Sequence, residues 1–299
     1  MEQRTVAETI REITRKHLEE DNGMLLGQSI SAVGWVNGTV PECNKGLVEL
    51  PMTDVAGAGI AVGAAMVGRR PIFVLRFQDF LILNGSPLIN YAAKCKELHG
   101  KSAPVFVRAI GSEGLGPVHS SILHSVYMHF PGFKVCSPMT PGEYKEVWKT
   151  YMENDDPMIV SEHRESFQNT EEMKDVIHDK ANITIYSISS PRFAVNEAAK
   201  TLAKEGIICN IIHIIWLKPF EISNRYLDPL NQTKLGLVID ASFEICGASR
   251  SIAYDLSNAA GHPVKALGLL DKTKCLCPPY QNKAPDVQSI YDTVKAILR

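Results

Sequence analysis

Short apolar runs alternate with segments of helical period along almost the whole chain, and few folds accept that pattern. In the first half the spacing predicts strands at Met24–Gly27, Ile72–Leu75, Pro104–Ile110, Phe133–Cys136 and Met158–Ser161. Between them lie helical segments. Val6, Ile10, Ile13 and Leu18 make one apolar stripe, and Val55–Met66, Leu88–Leu98 and Pro141–Asn154 follow. Gly34–Gly46 reads as loop and Gly111–Gly116 as a Gly-rich loop. Residues 165–182 are polar without a sustained period and read as a linker. The alternation then resumes. Strands are expected at Ile183–Ile188, Ile207–Ile215, Leu235–Asp240 and Val264–Leu267. Helices are expected at Arg192–Glu205 (closed by Gly206), Ala248–Ala259 and Pro285–Leu298. Strands alternating with helices imply parallel sheets covered on both faces. The fold class is therefore α/β, with one parallel-sheet domain over 1–164 and a smaller α/β domain over 183–299.

Charge and composition exclude several functions. A net charge of −2 supplies no basic field for nucleic acid and no polybasic footprint for a membrane. No apolar run approaches a membrane span. The charged start, through Asp21, reads as an amphipathic helix and not as a signal peptide. Seven cysteines without framework spacing fit reduced thiols and a cytoplasmic location. Cys275-x-Cys277 lacks a second Cys or His pair, so no metal site is predicted there. Val55–Met66, almost all small and apolar, would pack close to another backbone, as at a subunit interface.

Specific strings go further than pattern. Glu49-Leu-Pro-Met-Thr-Asp54 precedes the Gly/Ala helix, and Arg69-Arg70-Pro71 leads into the next strand. Phe77-Gln-Asp-Phe80 is followed downstream by Asn90 and Ala92-Ala93-Lys94. Pro117-Val-His119-Ser120, His129-Phe-Pro-Gly-Phe-Lys-Val135 and Asp156-Pro157 come next, then Leu217-Lys-Pro-Phe220 and Asp240. In this order and spacing they resemble the beta subunit of the thiamine-diphosphate-dependent 2-oxo acid dehydrogenase family, which is transketolase-like. The resemblance implies a pyrimidine-binding domain followed by a transketolase C-terminal-like domain. It also implies a division of labour: an alpha-type subunit holds the diphosphate and Mg²⁺ through a G-D-G motif, which this chain lacks. The expected assembly is two alpha plus two beta chains. A lipoyl acyltransferase is one candidate to receive the product group.

The resemblance also assigns residues. In the family a Glu carboxylate hydrogen-bonds the pyrimidine ring nitrogen and so helps remove the thiazolium proton. The aligned residue here is Asp54, one methylene shorter, and a displacement on the order of 1 Å can cost about 10²-fold. The plainer role for Thr53 or Asp54 is to cap the Gly/Ala helix. Gln28 falls where the family often has Glu. Met52, Thr53, Phe77 and Phe80 are the other expected cofactor contacts, with Phe80 offering a stacking face. His119 aligns with a proton-handling His, and imidazole suits that work. Arg76 stands near a position where Gln is common; it could grip a substrate carboxylate or phosphate, or form a surface ion pair. Asp79 is placed to orient a neighbour or meet substrate. Carbonyls near Asp155 and Asp156 would hold a structural K⁺, as in some relatives.

The leading expectation is a subunit that decarboxylates a 2-oxo acid and transfers the acyl or aldehyde unit. Two alternatives stand beside it: the C-terminal half of a split transketolase-like enzyme, and a non-catalytic paralogue that stabilises a partner.

Overall fold

A computed structural model describes residues 3–43, 45–273 and 282–299; Cys275 and Cys277 lie outside them. The described residues fall into two compact units, Met1–Ser112 with Val118–Glu172, and Glu113–Pro117 with Met173–Arg299. The stretch 165–182 is divided between them rather than hanging free. The backbone N–H groups of Val6 and Ala7 donate to the carbonyls of Asn169 and Phe167. Further on, Val176 forms an antiparallel bridge with Ile211. Backbone pairing of this kind leaves no side-chain period, so the sequence shows only polarity.

The strands of the first unit are β1 (Met24–Gln28), β2 (Leu47–Leu50), β3 (Pro71–Leu75), β4 (Phe106–Gly111), β5 (Lys134–Cys136) and β6 (Met158–His163). They lie in the order β2-β1-β3-β4-β6-β5, and every pair is parallel. β3, β4 and β6 are buried at every position, as strands covered on both faces must be. The helices are α1 (Val6–Glu19), α2 (Ala32–Gly38), α3 (Asp54–Met66), α4 (Leu81–Pro87), α5 (Ala93–His99), α6 (His124–Met128) and α7 (Pro141–Glu153). Thr5 opens α1 with a reciprocal capping box to Glu8.

Three local expectations change. The helix expected from Leu88 starts earlier, because the turn at Gln78–Phe80, α4 and a wide turn at Leu88–Ala92 run without a break into α5. Pro87 is the last residue of α4, and a wide turn follows it directly. β2 was hidden because its burial follows no clean alternation. At the start of the expected loop Gly34–Gly46 and one residue before it, Val33–Asn37 adopt a left-handed turn with φ from 52° to 57°. Gly and Asn accept that conformation, but Val33, Trp35 and Val36 do so at about 1–2 kcal/mol each. What holds them is packing and bonding: Val36 is buried, and Thr39 donates its hydroxyl to the Val36 carbonyl at 2.8 Å.

The second unit contains β7 (Ile183–Ser187), β8 (Cys209–His213), β9 (Trp216–Lys218), β10 (Gly236–Phe243) and β11 (Val264–Leu269). Its helices are α8 (Pro191–Ala203), α9 (Asn224–Thr233), α10 (Ala248–Ala260) and α11 (Val287–Ile297). β11-β10-β7-β8 form a parallel sheet. Ile185, Val195, Leu202, Ile211, Ile239 and Ile290 share one of its apolar clusters. No helix among the described residues is long and apolar enough to cross a membrane.

One titratable group is sealed into this unit. His213 Nδ1 lies 3.0 Å from the Ser187 hydroxyl and accepts from Arg192 Nε at 3.2 Å. Burial first, and then the charge of Arg192, hold its pKa down at about 3; Arg225 adds to this and Asp175 opposes it. The folded pKa is below the ordinary 6.5, so the unfolded chain binds the extra proton more readily. Stability from this site is complete above about pH 6.5 and is lost as pH falls toward 3. Denaturation midpoints measured from pH 7 to 4 should fall, and His213→Leu should flatten that slope by up to one proton; an unchanged slope would refute the assignment.

Candidate active site at the carboxyl edge of the first sheet

Because β1 to β6 pair in parallel, their carboxyl ends share one edge. β1 and β3 are neighbours, yet the chain leaves β1 toward β2 on one side and β3 toward β4 on the other. Connections that diverge in this way open a crevice beyond the strand ends, where ligands bind in such sheets. Gln28 ends β1, Asp54 begins α3 after β2, and Arg76 and Phe77 follow β3. His119 lies in the loop after β4, and Arg164 follows β6. The topology thus gathers residues that are far apart in sequence.

Asp54 is the first residue of α3, where the partial positive charge of the helix end favours a carboxylate. The capping role considered for Thr53 or Asp54 is not theirs. Thr53 makes no side-chain cap bond, and its hydroxyl donates to the Pro51 carbonyl at 3.1 Å. Gln28 caps the helix from β1. With its amide in the satisfied orientation, its oxygen accepts from the N–H groups of Asp54 at 2.8 Å and Thr53 at 3.2 Å. Gln28→Ala should therefore lower stability by about 1 kcal/mol, read as a shifted urea midpoint; no shift would show that water replaces the cap.

A residue the sequence did not single out connects the carboxylate to the aromatic segment. Asn84 is fully buried on α4. Its Nδ2 donates to Asp54 Oδ1 at 3.3 Å and to the Phe80 carbonyl at 2.9 Å. Its Oδ1 is buried with no partner among the described residues. No motif or period in the sequence marks such a residue; only the fold of α3 against α4 reveals it.

Phe77, Phe80 and His119 meet edge to face. The His119 ring centroid is 4.4 Å from that of Phe77 and 5.7 Å from that of Phe80, and the two phenyl rings are 5.8 Å apart. Such contacts orient the imidazole without using its nitrogens. The backbone around it is fixed by polar bonds. The Ser112 hydroxyl donates to the His119 carbonyl at 2.7 Å, and Ser121 N–H donates to Asp79 Oδ2 at 3.1 Å. Asp79 therefore anchors the His119 loop, the neighbour-orienting role among those expected of it. Gln78, fully buried, donates to the Ser161 hydroxyl at 2.8 Å and accepts from Leu123 N–H at 2.7 Å, tying the loop to β6. Gly111 permits the close turn: a Cβ there would lie 2.2 Å from Ile122 Cδ1.

Met52 is 84% exposed, so any contact it makes lies on the open side of this chain. Arg76 is half-buried and forms no surface ion pair among the described residues; its Nη1 donates to the Ser29 carbonyl at 3.3 Å. Protein cations engage groups near the position expected to hold K⁺. Arg70 donates to the carbonyls of Tyr151 and Asn154 and to Asp155 Oδ1. Lys96 and Lys134 pair with Asp156. Among the described residues no group of three or more His, Cys, Asp or Glu side chains could hold a metal.

The family described as "Transketolase, pyrimidine binding domain" matches residues 5–169, more than half of the chain. This chain belongs to the transketolase-like family. The family described as "Transketolase, C-terminal domain" matches residues 174–283. Its relatives place it on the beta-subunit branch of the thiamine-diphosphate enzymes. It is 28% identical over 276 residues to the acetoin:2,6-dichlorophenolindophenol oxidoreductase subunit beta of Cupriavidus necator, covering 87% of this chain and 80% of that protein. It is 30% identical over 243 residues to the mitochondrial pyruvate dehydrogenase E1 component subunit beta of Bos taurus, covering 73% and 68%. Two solved structures share the transketolase-like fold. A split-gene transketolase, in an inactive beta4 tetramer, matches 99% of both chains with a TM-score of 0.75 at 17% identity. The transketolase of Campylobacter jejuni has a TM-score of 0.74 at 17% identity over 97% of this chain and 46% of its own.

Proposed function

We propose that this transketolase-like chain is the beta-type subunit of an enzyme that decarboxylates a 2-oxo acid and transfers the acyl or aldehyde unit. It contributes the pyrimidine half of an active site shared with an alpha-type subunit. The observation that carries this reading is the Asn84 amide, which ties the Asp54 carboxylate to the Phe80 segment. An aminopyrimidine needs such a set: an acceptor for its protonated ring nitrogen, an aromatic face, and a further buried polar atom. Asp54, Phe80 and the unpartnered Asn84 Oδ1 fit it. Thiamine diphosphate, when bound, supplies the nucleophilic carbon and the electron sink for loss of carbon dioxide.

The chain's own residues have defined tasks. Asp54 holds a proton at the pyrimidine ring nitrogen. Gln28 fixes the backbone beneath it, and Phe77 and Phe80 orient His119 and keep water from the pocket wall. His119 moves a proton at the substrate oxygen, and Arg76 binds a substrate anion. Diphosphate and Mg²⁺ would be held by the alpha-type partner, since this chain has no G-D-G string. The outer face of α3 supports docking of such a partner: Val55, Ile60 and Met66 are exposed, and a Cβ at Gly59 or Gly63 would meet nothing within 4 Å. Two alpha and two beta chains would then assemble, with a lipoyl acyltransferase as one acceptor partner. Co-expression with an alpha-type chain is the test. The purified pair should carry thiamine diphosphate and release carbon dioxide from a 2-oxo acid. A pair that carries none of the cofactor sinks the catalytic reading.

A further inference from the structure

The two carboxylate oxygens of Asp54 are not equivalent. Oδ1 accepts from Asn84 Nδ2 at 3.3 Å, while among the described residues nothing donates to Oδ2. The residue is half-buried, not sealed. The last torsion of a carboxylate side chain is broad, so a donor on one oxygen is enough to choose its direction.

The donor itself cannot turn over. Asn84 Nδ2 carries two N–H groups, and one of them goes to the Phe80 carbonyl at 2.9 Å. That carbonyl only accepts, so a reversed amide would set oxygen against oxygen. Asn84 Oδ1 has no partner among the described residues, so the two bonds of Nδ2 alone fix the amide. The second N–H is thereby committed to Asp54. The base of the donor is rigid as well. Asn84 and Leu81 are fully buried on α4, and the Tyr127 hydroxyl donates to the Leu81 carbonyl at 2.7 Å. α4 packs against α3. From the other side, the Gln28 oxygen accepts from the backbone N–H of Asp54. β1 thus sets where the side chain starts, and α4 sets where its carboxylate points.

We propose that Asn84 is a positioning residue for Asp54: it holds Oδ1 and leaves Oδ2 to meet the pyrimidine ring nitrogen. This rests on the reading of the site as a pyrimidine half-site, and it adds that Asp54 and Asn84 are a matched pair, standing in for one longer acid. The resemblance places Glu where this chain has Asp54. One more methylene is about 1.5 Å of reach. A Glu directed the same way would bring its oxygens against Asn84 Nδ2, which is 3.3 Å from the present Oδ1. The short acid and the buried amide therefore belong together.

The experiment uses the pair assembled with an alpha-type chain, and thiamine diphosphate is the probe. Isothermal titration into the cofactor-free pair reads affinity, and turnover of the 2-oxo acid is read beside it. Asn84→Ala should weaken binding about tenfold, as expected for one lost hydrogen bond to a charged group. It should also lower kcat while KM for the 2-oxo acid stays unchanged. Asp54→Glu alone should weaken binding by a similar factor. Asp54→Glu combined with Asn84→Ala should bind within about threefold of the native pair, whereas independent losses would multiply to about a hundredfold. Asn84→Asp keeps the shape but removes the donor, and should bind no better than Asn84→Ala. A native sedimentation profile for each variant pair excludes misassembly as the cause. Losses that multiply in the double variant, or an Asn84→Asp pair that binds like the native one, overturn the pairing even though the native pair is loaded. A native pair that takes up no thiamine diphosphate overturns the reading of the site itself, and the pairing with it.

Discussion

Asp54→Ala in the assembled enzyme is expected to lower turnover by about 10²- to 10⁴-fold, the range for removal of a positioned proton-handling group. Assembly with the alpha-type chain should persist, because Asp54 does not cap α3 and its loss leaves the Gln28 bonds to the helix in place. Asp54→Asn is the sharper variant. It preserves shape and the contact region of Asn84 but removes the charge that accepts a proton. Turnover should fall nearly as far as in Asp54→Ala, with the native sedimentation profile retained. Unchanged turnover in both would move the proton-handling role to another group. Asn84 Nδ2 donates to the Asp54 carboxylate at 3.3 Å and so supports it from the side of α4.

The largest stability effect is expected at Glu162. Arg108 is fully buried and donates to Glu162 through Nε at 2.7 Å and Nη2 at 2.9 Å. Tyr144 adds a bond to the same carboxylate at 2.8 Å. Burial works against the Arg108 charge, but Glu162 outweighs it and holds the guanidinium above its ordinary pKa. Glu162→Ala leaves that cation without a counter-charge, and the cost should be about 3–5 kcal/mol. The effect extends to the left-handed turn, because Arg108 Nη2 also donates to the Thr39 hydroxyl at 2.9 Å, which in turn fixes Val36. The denaturant midpoint measures the loss. Arg108→Met combined with Glu162→Leu should recover much of it, since replacing both members of a buried pair by apolar groups is often neutral. A single variant as stable as the native chain would mean that the pair contributes nothing.

Much of the fold was legible. The alternation of strand runs with α3, α7, α8, α10 and α11 appears in the residue pattern because burial on two sheet faces demands it. Short elements were not legible: β2, β9, α6 and α9 carry too few periods to stand out. The left-handed turn at Val33–Asn37 is invisible for a different reason. Valine and tryptophan disfavour that conformation, so local preference points away from what Arg108 and Thr39 impose.

The site divides in the same way. Asp54, Phe77, Phe80 and His119 are named from strings in the sequence, and Phe77 and Phe80 lie within a few residues of the end of β3. Asn84, Gln78 and Arg164 were missed. Their roles consist of bonds to residues distant in the chain, such as Asn84 to Asp54 and Gln78 to Ser161. The sequence by itself determined the parallel α/β class and the transketolase-like resemblance. Only the tertiary structure decided that Gln28 caps α3, that protein cations engage the groups near Asp155, and that Arg76 and Arg164 share the Phe77 ring. Hydrophobic periodicity is a local quantity and can be read along the chain, whereas the pairing of buried charges and amides depends on which strand ends meet.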